Sequence, residues 1–456
     1  MEFSLIRSAV LLWMLAAGIG LGSAFALDEP SPDDAYSAGI EALREGDAEG
    51  ARKLLDVAAR MEPKRAAIWW ELGWAHWVLE DYASAAEAWQ TVKTLNPNQP
   101  ELDQWLSVAA TRKALGEVRL GNVSIPLSPE GRSITFAAAG DTMLGSDLRK
   151  GPRGLAPGDG EVIFESVKAD FAAADVAFLN LEGTLADGLP DAKCGPNSSN
   201  CYAFRTPTRY VKALTSARID VVSNANNHAM DLGPRGMDMT LAALDGAGIA
   251  HTSRYGDVAM LERNGVKIAV VGAHSGSCCL NVNRLEEVQG AIALADKAAD
   301  LVVFSFHGGA EGSGARHVPG QTEIAWGERR GDVKALARAA IDAGADLVLG
   351  HGPHVLRAME VYRGRLIAYS MGNFVGYRQF GTRGGHSGTS LILSVELAEN
   401  GALRSAKILP MMLDNVGIPH PDPDNHAIRS VQELSDADFP DTGVQIAPDG
   451  TISWGS

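Results

Sequence analysis

Six apolar stretches, which follow one another from Ile134 to Tyr369, each end at residues that can bind a metal ion or transfer a proton. A single such ending is an ordinary turn, because Gly, Asn and Asp are common turn residues. Six endings in succession are better explained by one shared site. The residues with nitrogen or oxygen donors at these endings are Asp141, Glu182, Asn227, His228, His307, His351, His354 and Asn373.

The chemistry of these donors indicates a metal centre. Imidazoles, carboxylates and an amide, without a thiolate, favour Mn, Fe, Zn, Ni or Co over a structural zinc–cysteine site. Two carboxylates, one Asn and three or four His are more ligands than one ion needs. They fit two ions that share a water or hydroxide, an arrangement used to cleave phosphoesters. The sequence therefore predicts one or two divalent transition-metal ions, with Mn, Zn or Fe as the main candidates.

A domain of residues 133–416 is expected to position these donors. From Ser133 onward, short runs of Val, Ile, Ala and Leu alternate with Ala-rich stretches of helical character, which is typical of an α/β domain. Ligand sites in such domains gather beyond the carboxyl ends of the strands. A Pro-containing linker is predicted at 119–132, and a tail that wraps the surface is predicted at 417–456.

Residues 27–118 have a different character, with six of the nine Trp of the chain. This segment matches itself when it is shifted so that Gly39 aligns with Gly73 and Leu55 with Trp89. The pattern resembles the tetratricopeptide repeat, in which small residues let paired helices approach each other. A partial third copy begins near Glu101. The repeat could bind a protein partner or act as a spacer, and the sequence favours neither.

The segment 1–26 predicts export. Arg7 precedes an apolar run, and Ala24-Phe25-Ala26 places small residues at the spacing that signal peptidase accepts. Cleavage after Ala26 is the favoured interpretation, and a retained N-terminal anchor is the alternative. The expected location is the periplasm, the cell envelope or the exterior.

Export favours disulfides among the four Cys, which allow three connectivities. Cys194 and Cys201 flank a short polar loop and are the favoured pair. Cys278 and Cys279 are adjacent and could pair with each other only through a strained turn.

The net charge of −16 and the isoelectric point of about 5.2 exclude a broad nucleic-acid-binding surface. Affinity for phosphate backbones requires a cationic face, which this composition does not provide. Acidity also favours solubility, so it identifies no ligand.

The ordered motifs from Gly140-Asp141 to Ser370-Met371-Gly372-Asn373-Phe374 resemble the bacterial capsule-synthesis CapA (poly-γ-glutamate biosynthesis) family. That family is a branch of the calcineurin-like metallophosphoesterases, and the resemblance covers residues 133–410. It implies two packed mixed β-sheets flanked by helices, an α/β/β/α sandwich, after the small helical-repeat domain.

The resemblance also implies roles for single residues. His228 would face the substrate and act as a general acid toward the leaving oxygen. Glu182 would bridge two metal ions, and His354 would bind metal or contact substrate. The full set of implied metal ligands is Asp141, Glu182, Asn227, His307, His351 and His354.

Two positions depart from the pattern of the wider superfamily. Met143 stands where a His commonly follows the first Asp, and a thioether is a poor ligand for a hard metal. His351 and His354 are three positions apart, whereas the superfamily has two. Met143 resembles the CapA branch itself, and one of the two metal sites could be weak or absent.

Supporting roles are predicted for four further residues. Arg205 would hold an anionic substrate or form a structural salt bridge. Asp231 is expected to fix the loop after His228, and Glu311 and Asn373 are expected to support the ligands from behind. The loop 382–388, with His386, could overhang the site. The remaining histidines, interpreted as surface or loop residues, are His251, His274, His317, His420 and His426.

Two functions follow. The first is an exported metal-dependent hydrolase that acts on a phosphoester or an anionic polymer in capsule or envelope metabolism. The alternative is a non-catalytic factor for synthesis or export of poly-γ-glutamate, with a degenerate metal site. In either case the repeat could bind a protein partner, and membrane-associated capsule machinery is a further candidate partner.

Overall fold

The computed structural model describes residues 31–44, 46–79, 81–100, 102–103, 105–106, 109, 131–148, 154–194, 201–378 and 385–455. The predicted signal segment and most of the predicted linker lie outside these residues. The described residues separate into two compact units at a boundary after Ala109. No helix of the described residues is both long and apolar enough to cross a membrane.

The described residues of the first unit include four helices with complete bounds, which form two hairpins. They are α1 (Pro32–Arg44), α2 (Ala48–Met61), α3 (Ala66–Val78) and α4 (Tyr82–Leu95). Asp47 and Asp81, at equivalent positions of the two hairpins, cap α2 and α4 by accepting the backbone N–H of Gly50 and Ser84. A Cβ on Gly73 would lie 2.2 Å from Trp89 Nε1, so glycine is required where α3 meets α4. The predicted tetratricopeptide-like arrangement is confirmed.

The core of this unit is aromatic at its second hairpin. Trp89 is fully buried, and its ring contacts those of Trp70, Trp74, Trp77 and Trp105. The indole N–H of Trp89 donates to the carbonyl of Trp70 at 3.2 Å, which satisfies its only polar atom. The Trp residues that mark this segment in the sequence therefore act as packing.

The second unit contains six α-helices and 21 strands among the described residues. The helices are α5 (Lys168–Ala172), α6 (Val211–Ser216), α7 (Gly233–Gly246), α8 (Leu285–Asp296), α9 (Val333–Asp342) and α10 (His426–Asp438). The first strands are β1 (Ser133–Met143), β2 (Val176–Leu181), β3 (Thr184–Leu185), β4 (Arg205–Thr206), β5 (Val221–Ser223), β6 (Ala250–Thr252), β7 (Val258–Arg263), β8 (Val266–His274), β9 (Leu280–Asn281) and β10 (Leu301–His307). The others are β11 (Ile324–Ala325), β12 (Glu328–Arg329), β13 (Leu347–His351), β14 (Met359–Tyr362), β15 (Arg365–Ala368), β16 (Asn373–Gly376), β17 (Thr389–Ala398), β18 (Leu403–Leu413), β19 (Pro419–Pro421), β20 (Gln445–Ile446) and β21 (Thr451–Ser453).

Two mixed sheets pack face to face. One has ten strands, in the order β20-β21-β18-β17-β1-β2-β5-β6, with β16 beside β1 and β19 beside β18. The other has seven, in the order β14-β15-β13-β10-β8-β7, with β9 beside β8. Phe136 and Phe178 of the first sheet share an apolar core with Val270, Val303 and Leu349 of the second. Helices cover the outer faces, and the predicted layered α/β architecture is confirmed.

The segment after residue 417 differs from the predicted surface tail. Its helix α10 buries Val431 and Leu434, and β21 adds Ile452 to the same core. The strands β19, β20 and β21 extend the ten-stranded sheet. Of the Pro, Asp and Asn residues that indicated a tail, some lie in turns between these short elements, and others, such as Pro419 and Pro421 of β19, lie within them.

Candidate metal centre

The strand register brings the predicted donors to one edge of the sandwich. Asp141 of β1 pairs with Asn180 of β2 on one side and with Asn373 of β16 on the other. In the second sheet, His307 at the end of β10 pairs with His351 at the end of β13. These strand pairs are parallel, so their carboxyl ends meet at the same edge, where ligand sites of α/β domains form.

Asp141 is fully buried and lies between the two sheets. Its Oδ1 accepts a hydrogen bond of 2.8 Å from Asn180 Nδ2 and lies 3.4 Å from His351 Nδ1. Its Oδ2 lies 3.1 Å from His354 Nδ1. Burial by itself raises the pKa of Asp141, but the imidazoles of His351 and His354 outweigh it and hold that pKa well below its usual range. Asp141 is therefore ionised at neutral pH.

The positive charges near Glu182, on His354 and Arg330, do not outweigh the effect of its burial. Glu182 is fully buried, and both of its carboxylate oxygens lack a hydrogen-bond partner among the described residues. Its Oε1 lies 3.6 Å from His354 Nε2 and 3.8 Å from both His307 Nε2 and His228 Nε2. Burial raises the pKa of Glu182 to about 8. A buried carboxyl group without partners is costly unless a ligand satisfies it.

Two imidazoles of this cluster also have unpaired nitrogens. His307 Nε2 and both ring nitrogens of His351 are buried without a hydrogen-bond partner among the described residues. Burial lowers the pKa of His307 well below its usual range, which keeps it neutral, as a ligand must be. In the metal-free protein, attraction to an ionised Glu182 overcomes the lowering effect of burial and raises the pKa of His354 to about 10, so a metal ion bound to His354 would displace that proton. His354 also has a backbone φ of +59°, in the left-handed region that few non-glycine residues adopt.

These groups fit a divalent metal ion. Asp141, Glu182 and His354 offer donor atoms that all lie within 4.8 Å of one another. Donors about 2.0–2.2 Å from one ion stand roughly 3–4 Å apart, as several pairs do here. The unpaired oxygens and nitrogens of the cluster are the atoms that such an ion would bind.

His228 is held at the rim of this cluster by Asp231. Its Nδ1 lies 2.8 Å from Asp231 Oδ2, which fixes the proton on Nδ1 and points Nε2 toward Glu182. Lys193 Nζ lies 3.0 Å from Asp231 Oδ1 and 3.4 Å from His228 Nδ1, and it donates to the carbonyl of Asn227. Burial is the main cause that lowers the pKa of His228. Asp231 thus positions the imidazole, as well as fixing the loop.

Asn227 has the character expected of an amide ligand. Its Oδ1 is buried and has no hydrogen-bond partner among the described residues. The side chain lines a cavity of about 550 Å³, together with Lys193, Asn226 and His274. Its role as a ligand remains a prediction.

The supporting residues of the prediction lie in different surroundings. Asn373 Oδ1 lies 3.0 Å from His354 Nδ1 and so orients that imidazole. Arg205 forms a salt bridge with Asp147 and donates to the carbonyl of Leu189. These contacts correspond to the structural salt bridge, one of the two roles expected for Arg205. Glu311 lies 3.1 Å from the buried guanidinium of Arg330.

Met143 is buried, and its sulfur accepts the backbone N–H of Gly145 at 3.0 Å. It takes part in the turn after β1 and belongs to the packing of the domain. The predicted overhanging loop is described only from residue 385, where His386 lines a second cavity of about 510 Å³ with Arg316 and Arg429.

One histidine interpretation is wrong. His274 is 4% exposed and ends β8, in register with His307. The sequence did not predict the burial of His274 at a strand end, because the motif that follows, Ser275-Gly276-Ser277, is typical of an ordinary loop. The other four, His251, His317, His420 and His426, each lie beside a carboxylate outside the cluster.

The structure also shows residues that the motifs did not indicate. Asn180 joins Asp141 to His307, since its Nδ2 lies 3.3 Å from His307 Nδ1. Asn226 donates to Asn180 Oδ1 at 3.1 Å and accepts the backbone N–H of His228. Asn180 lies two residues before Glu182 and Asn226 directly precedes Asn227, and this proximity to predicted ligands is the signal that could have identified them.

Two of the four cysteines form a disulfide, and the other two do not. Cys194 and Cys201 form the predicted disulfide, next to Lys193. Residues 195–200 of the loop that it closes lie outside the described residues. Cys278 and Cys279 remain thiols, so the expectation of structural disulfides does not hold for them. Adjacent Cys residues rarely reach disulfide geometry without backbone strain.

Comparison with known proteins links both units to families. The family described as "Bacterial capsule synthesis protein PGA_cap" matches residues 135–378, and the tetratricopeptide repeat family matches residues 36–100. The PGA biosynthesis protein CapA of Bacillus subtilis is 32% identical over 288 residues, which cover 59% of this chain and 70% of that protein.

Two further relatives show the same pattern. The capsule biosynthesis protein CapA of Bacillus anthracis is 28% identical and matches 60% of this chain and 66% of its own length. A probable polyglutamine synthesis accessory protein of Mycobacterium tuberculosis is 30% identical and matches 54% of this chain and 67% of its own length. The chain thus spans about two thirds of the length of these relatives.

Proposed function

We propose that this chain, which belongs to the bacterial capsule synthesis protein PGA_cap family, is an exported metal-dependent hydrolase of the phosphoesterase type. Its proposed place is the metabolism of a capsule or envelope polymer such as poly-γ-glutamate. The observation that supports this most is the buried Glu182 carboxylate, whose oxygens have no partner among the described residues and face three imidazoles.

The proposed ligands of the metal ion, which we expect to be Mn, Zn or Fe, are Asp141, Glu182, Asn227, His307, His351 and His354. When bound there, the ion supplies Lewis-acid polarisation of a phosphoryl oxygen and an ionised water. The two sheets supply the geometry, because Asp141 belongs to one sheet and His307 to the other. Their packing fixes the distance between the two halves of the site before any ligand binds.

His228 is the proposed general acid. Asp231 holds the Nδ1 proton and stabilises the imidazolium, and in that protonated form Nε2 carries the proton that can be delivered toward a leaving oxygen. The Nε2 atom faces Glu182, on the side where a bound ester would contact the metal ligands. Asp231 acts through His228 and is a positioning residue.

The surroundings favour an anionic substrate. Lys193 and Arg329 line the cavity that also contains Asn227, and the guanidinium of Arg330 lies close enough to lower the pKa of Glu182. Lys193 and Arg329 outnumber the one acidic lining residue, Glu328, so in a chain of net charge −16 this cavity favours phosphate or carboxylate groups. A polymer of γ-linked glutamate or a phosphoester has such groups.

A non-catalytic factor for polymer synthesis or export is the second candidate. Met143 favours it, because a thioether engaged with Gly145 stands where related phosphoesterases commonly have a His ligand. In that case a metal ion would have a structural role, and the tetratricopeptide-like repeat would bind a protein of the capsule machinery.

Hydrolysis of aryl phosphodiesters by the purified full-length chain separates the two candidates. The assay uses metal-free protein, protein supplied with Mn²⁺ or Zn²⁺, and the variants Asp141→Ala and His228→Ala. The hydrolase predicts metal-dependent turnover that Asp141→Ala loses together with its metal. His228→Ala should keep its metal and lose turnover mainly on esters with poor leaving groups. Metal binding by the wild-type chain without hydrolysis of any ester would contradict the hydrolase and support the second candidate.

A further inference from the structure

A second cluster of metal-binding and nucleophilic side chains lies beside the candidate metal centre, at the end of β8. His274 ends that strand in register with His307, and Cys278 and Cys279 follow on the next turn. One donor atom from each of these three residues lies within 4.8 Å of the others. The proposed hydrolase uses none of the three, so their proximity requires its own explanation.

The hydrogen bonds of His274 determine which of its nitrogens carries the proton. Its Nδ1 accepts the backbone N–H of Gly276 at 2.8 Å, so Nδ1 carries no hydrogen. A neutral imidazole then has its hydrogen on Nε2. The Nε2 atom lies 3.1 Å from Cys278 Sγ, and the N–H therefore donates to the sulfur.

The thiol of Cys279 lies within 4.8 Å of the same sulfur. It is fully buried, and burial raises the pKa of its thiol well above the usual range, so it retains its S–H. The hydrogen bond from Cys279, together with the His274 imidazole, lowers the pKa of Cys278 to about 5. Donors on two sides stabilise the anionic sulfur of Cys278, as in known reactive cysteines.

Cys278 is also accessible. It is partly exposed and lines the cavity of about 550 Å³ that contains Lys193 and Asn227. The titratable and charged groups around it are His274, Cys279, Asp257 beside Cys279, and Lys193, Glu328 and Arg329 on the cavity wall.

The same geometry disfavours a soft-metal site at these three residues. A metal ion binds the unprotonated nitrogen of an imidazole. Here that nitrogen is Nδ1, which is occupied by Gly276, whereas the nitrogen that faces Cys278 carries the hydrogen. A thiolate with two donors fits the cluster better than a metal ligand does.

We propose that Cys278 is a nucleophilic thiolate and a site of covalent modification by small electrophiles that enter the cavity. With an alkyl halide, the sulfur lone pair forms a C–S bond, and the halide leaves with the electrons of the carbon–halogen bond. No proton is released, because the thiol is already ionised. This inference does not depend on the proposed hydrolase.

Alkylation by iodoacetamide, mapped by mass spectrometry on the native full-length chain, tests the proposal. An ordinary thiol with a pKa of about 8.5 is only about 0.3% thiolate at pH 6, which slows its reaction. Each of its thiolates is, however, more nucleophilic than the thiolate of a more acidic thiol, which partly offsets this. With both effects included, Cys278 should react roughly five to ten times faster at pH 6 than the same cysteine in urea-unfolded protein. Its rate should change little between pH 6 and pH 8.

Variants show whether the hydrogen bonds cause this reactivity. His274→Asn and Cys279→Ala each remove a donor and should return the rate at pH 6 toward that of the unfolded chain. Cys279→Ser keeps a hydroxyl donor and should retain most of the rate, and Ser277→Ala on the same turn is the neutral control. Circular dichroism verifies that each variant is folded.

Three outcomes would overturn the proposal. The first is a native rate at pH 6 no faster than that of the unfolded chain. The second is a pH profile unchanged in both His274→Asn and Cys279→Ala. The third is protection of Cys278 that a chelator relieves, which would identify a metal site instead.

Discussion

Two clusters of buried charge in the α/β unit have opposite hydrogen-bonding states. Arg357 and Glu323 form a bidentate pair with distances of 2.9 and 2.7 Å, and Arg357 Nε also donates to the carbonyl of Ala315. The backbone N–H of Ala310 donates to Glu323 Oε2 at 3.0 Å. In the second cluster Glu182 is as deeply buried, yet neither of its oxygens has a hydrogen-bond partner among the described residues.

The difference separates a structural role from a binding role. A buried ion pair whose hydrogen bonds are satisfied holds two segments together, here the loop after His307 and the segment before β14. A buried carboxylate without partners costs stability, and proteins retain such groups mainly where a ligand or a reaction uses them. The same residue type at the same depth thus has different functions, and the partners distinguish them.

The largest expected effect comes from the same substitution made in both clusters of the metal-free protein. Glu323→Gln leaves the buried Arg357 charge unpaired and places an amide N–H₂ beside it, so the free energy of unfolding should fall by about 3–5 kcal/mol. Glu182→Gln removes an uncompensated carboxyl group, so the free energy of unfolding should stay equal or rise. Urea unfolding at neutral pH measures both.

The outcome that would undo this comparison is a similar loss of stability in both variants. Glu182 would then be part of a structural network like that of Glu323. Glu323→Gln should also leave metal affinity unchanged when measured at a temperature where the variant is folded.

The next prediction concerns turnover and belongs to the proposed hydrolase. His228→Ala should lower turnover by about 10²–10⁴-fold, because a positioned proton donor contributes that much. The loss should be smaller with aryl phosphodiesters, since a good leaving group needs little protonation. Metal content should not change, and steady-state kinetics beside elemental analysis would show both. A variant as active as the wild type would show that His228 does not take part in the reaction.

Metal addition should stabilise the chain by a smaller amount. A ligand that binds only the folded state at one hundred times its Kd adds about 2.7 kcal/mol. Thermal unfolding with and without Mn²⁺ or Zn²⁺ should show this gain in the wild type and in His228→Ala. Asp141→Ala should show none, and an equal gain in that variant would place the ion elsewhere.

The smallest effect is expected away from both clusters, at the disulfide. Replacing Cys194 and Cys201 by Ser opens a short loop, and loop-closure entropy predicts a loss of about 2–3 kcal/mol. The open loop should also weaken the salt bridge between the adjacent Lys193 and Asp231, whose Nζ and Oδ1 atoms lie 3.0 Å apart. Thermal unfolding and turnover measure these effects, and peptide mapping without reductant verifies the bond in the wild type. A variant as stable as the wild type would show that the loop is held by other contacts.

Much of the fold could be predicted because its signals are local. Strand ends marked by Asp, Glu and His, and a repeat that aligns Gly39 with Gly73, are visible in the sequence. The segment after 417 was missed because its strands are very short, too short for a periodic pattern. Its place in the sheet depends on pairing with β18, which is a tertiary contact.

The site was predicted less completely for a related reason. Motifs identified the carboxylates and imidazoles, but the sequence cannot show that Asn180 joins Asp141 to His307. His274 was missed because its role depends on its neighbour strand, where it stands in register with His307. Residues that act through cross-strand neighbours need the structure.

The most direct test of the central claim is the metal content of the full-length chain, wild type and Glu182→Gln, purified without chelator and then titrated with Mn²⁺ and Zn²⁺. The unpaired donors predict at least one transition-metal ion for each wild-type chain and a marked loss in Glu182→Gln, while both proteins remain folded. Substoichiometric metal in the wild type, with no uptake on titration, would contradict the claim that these buried groups form a metal centre.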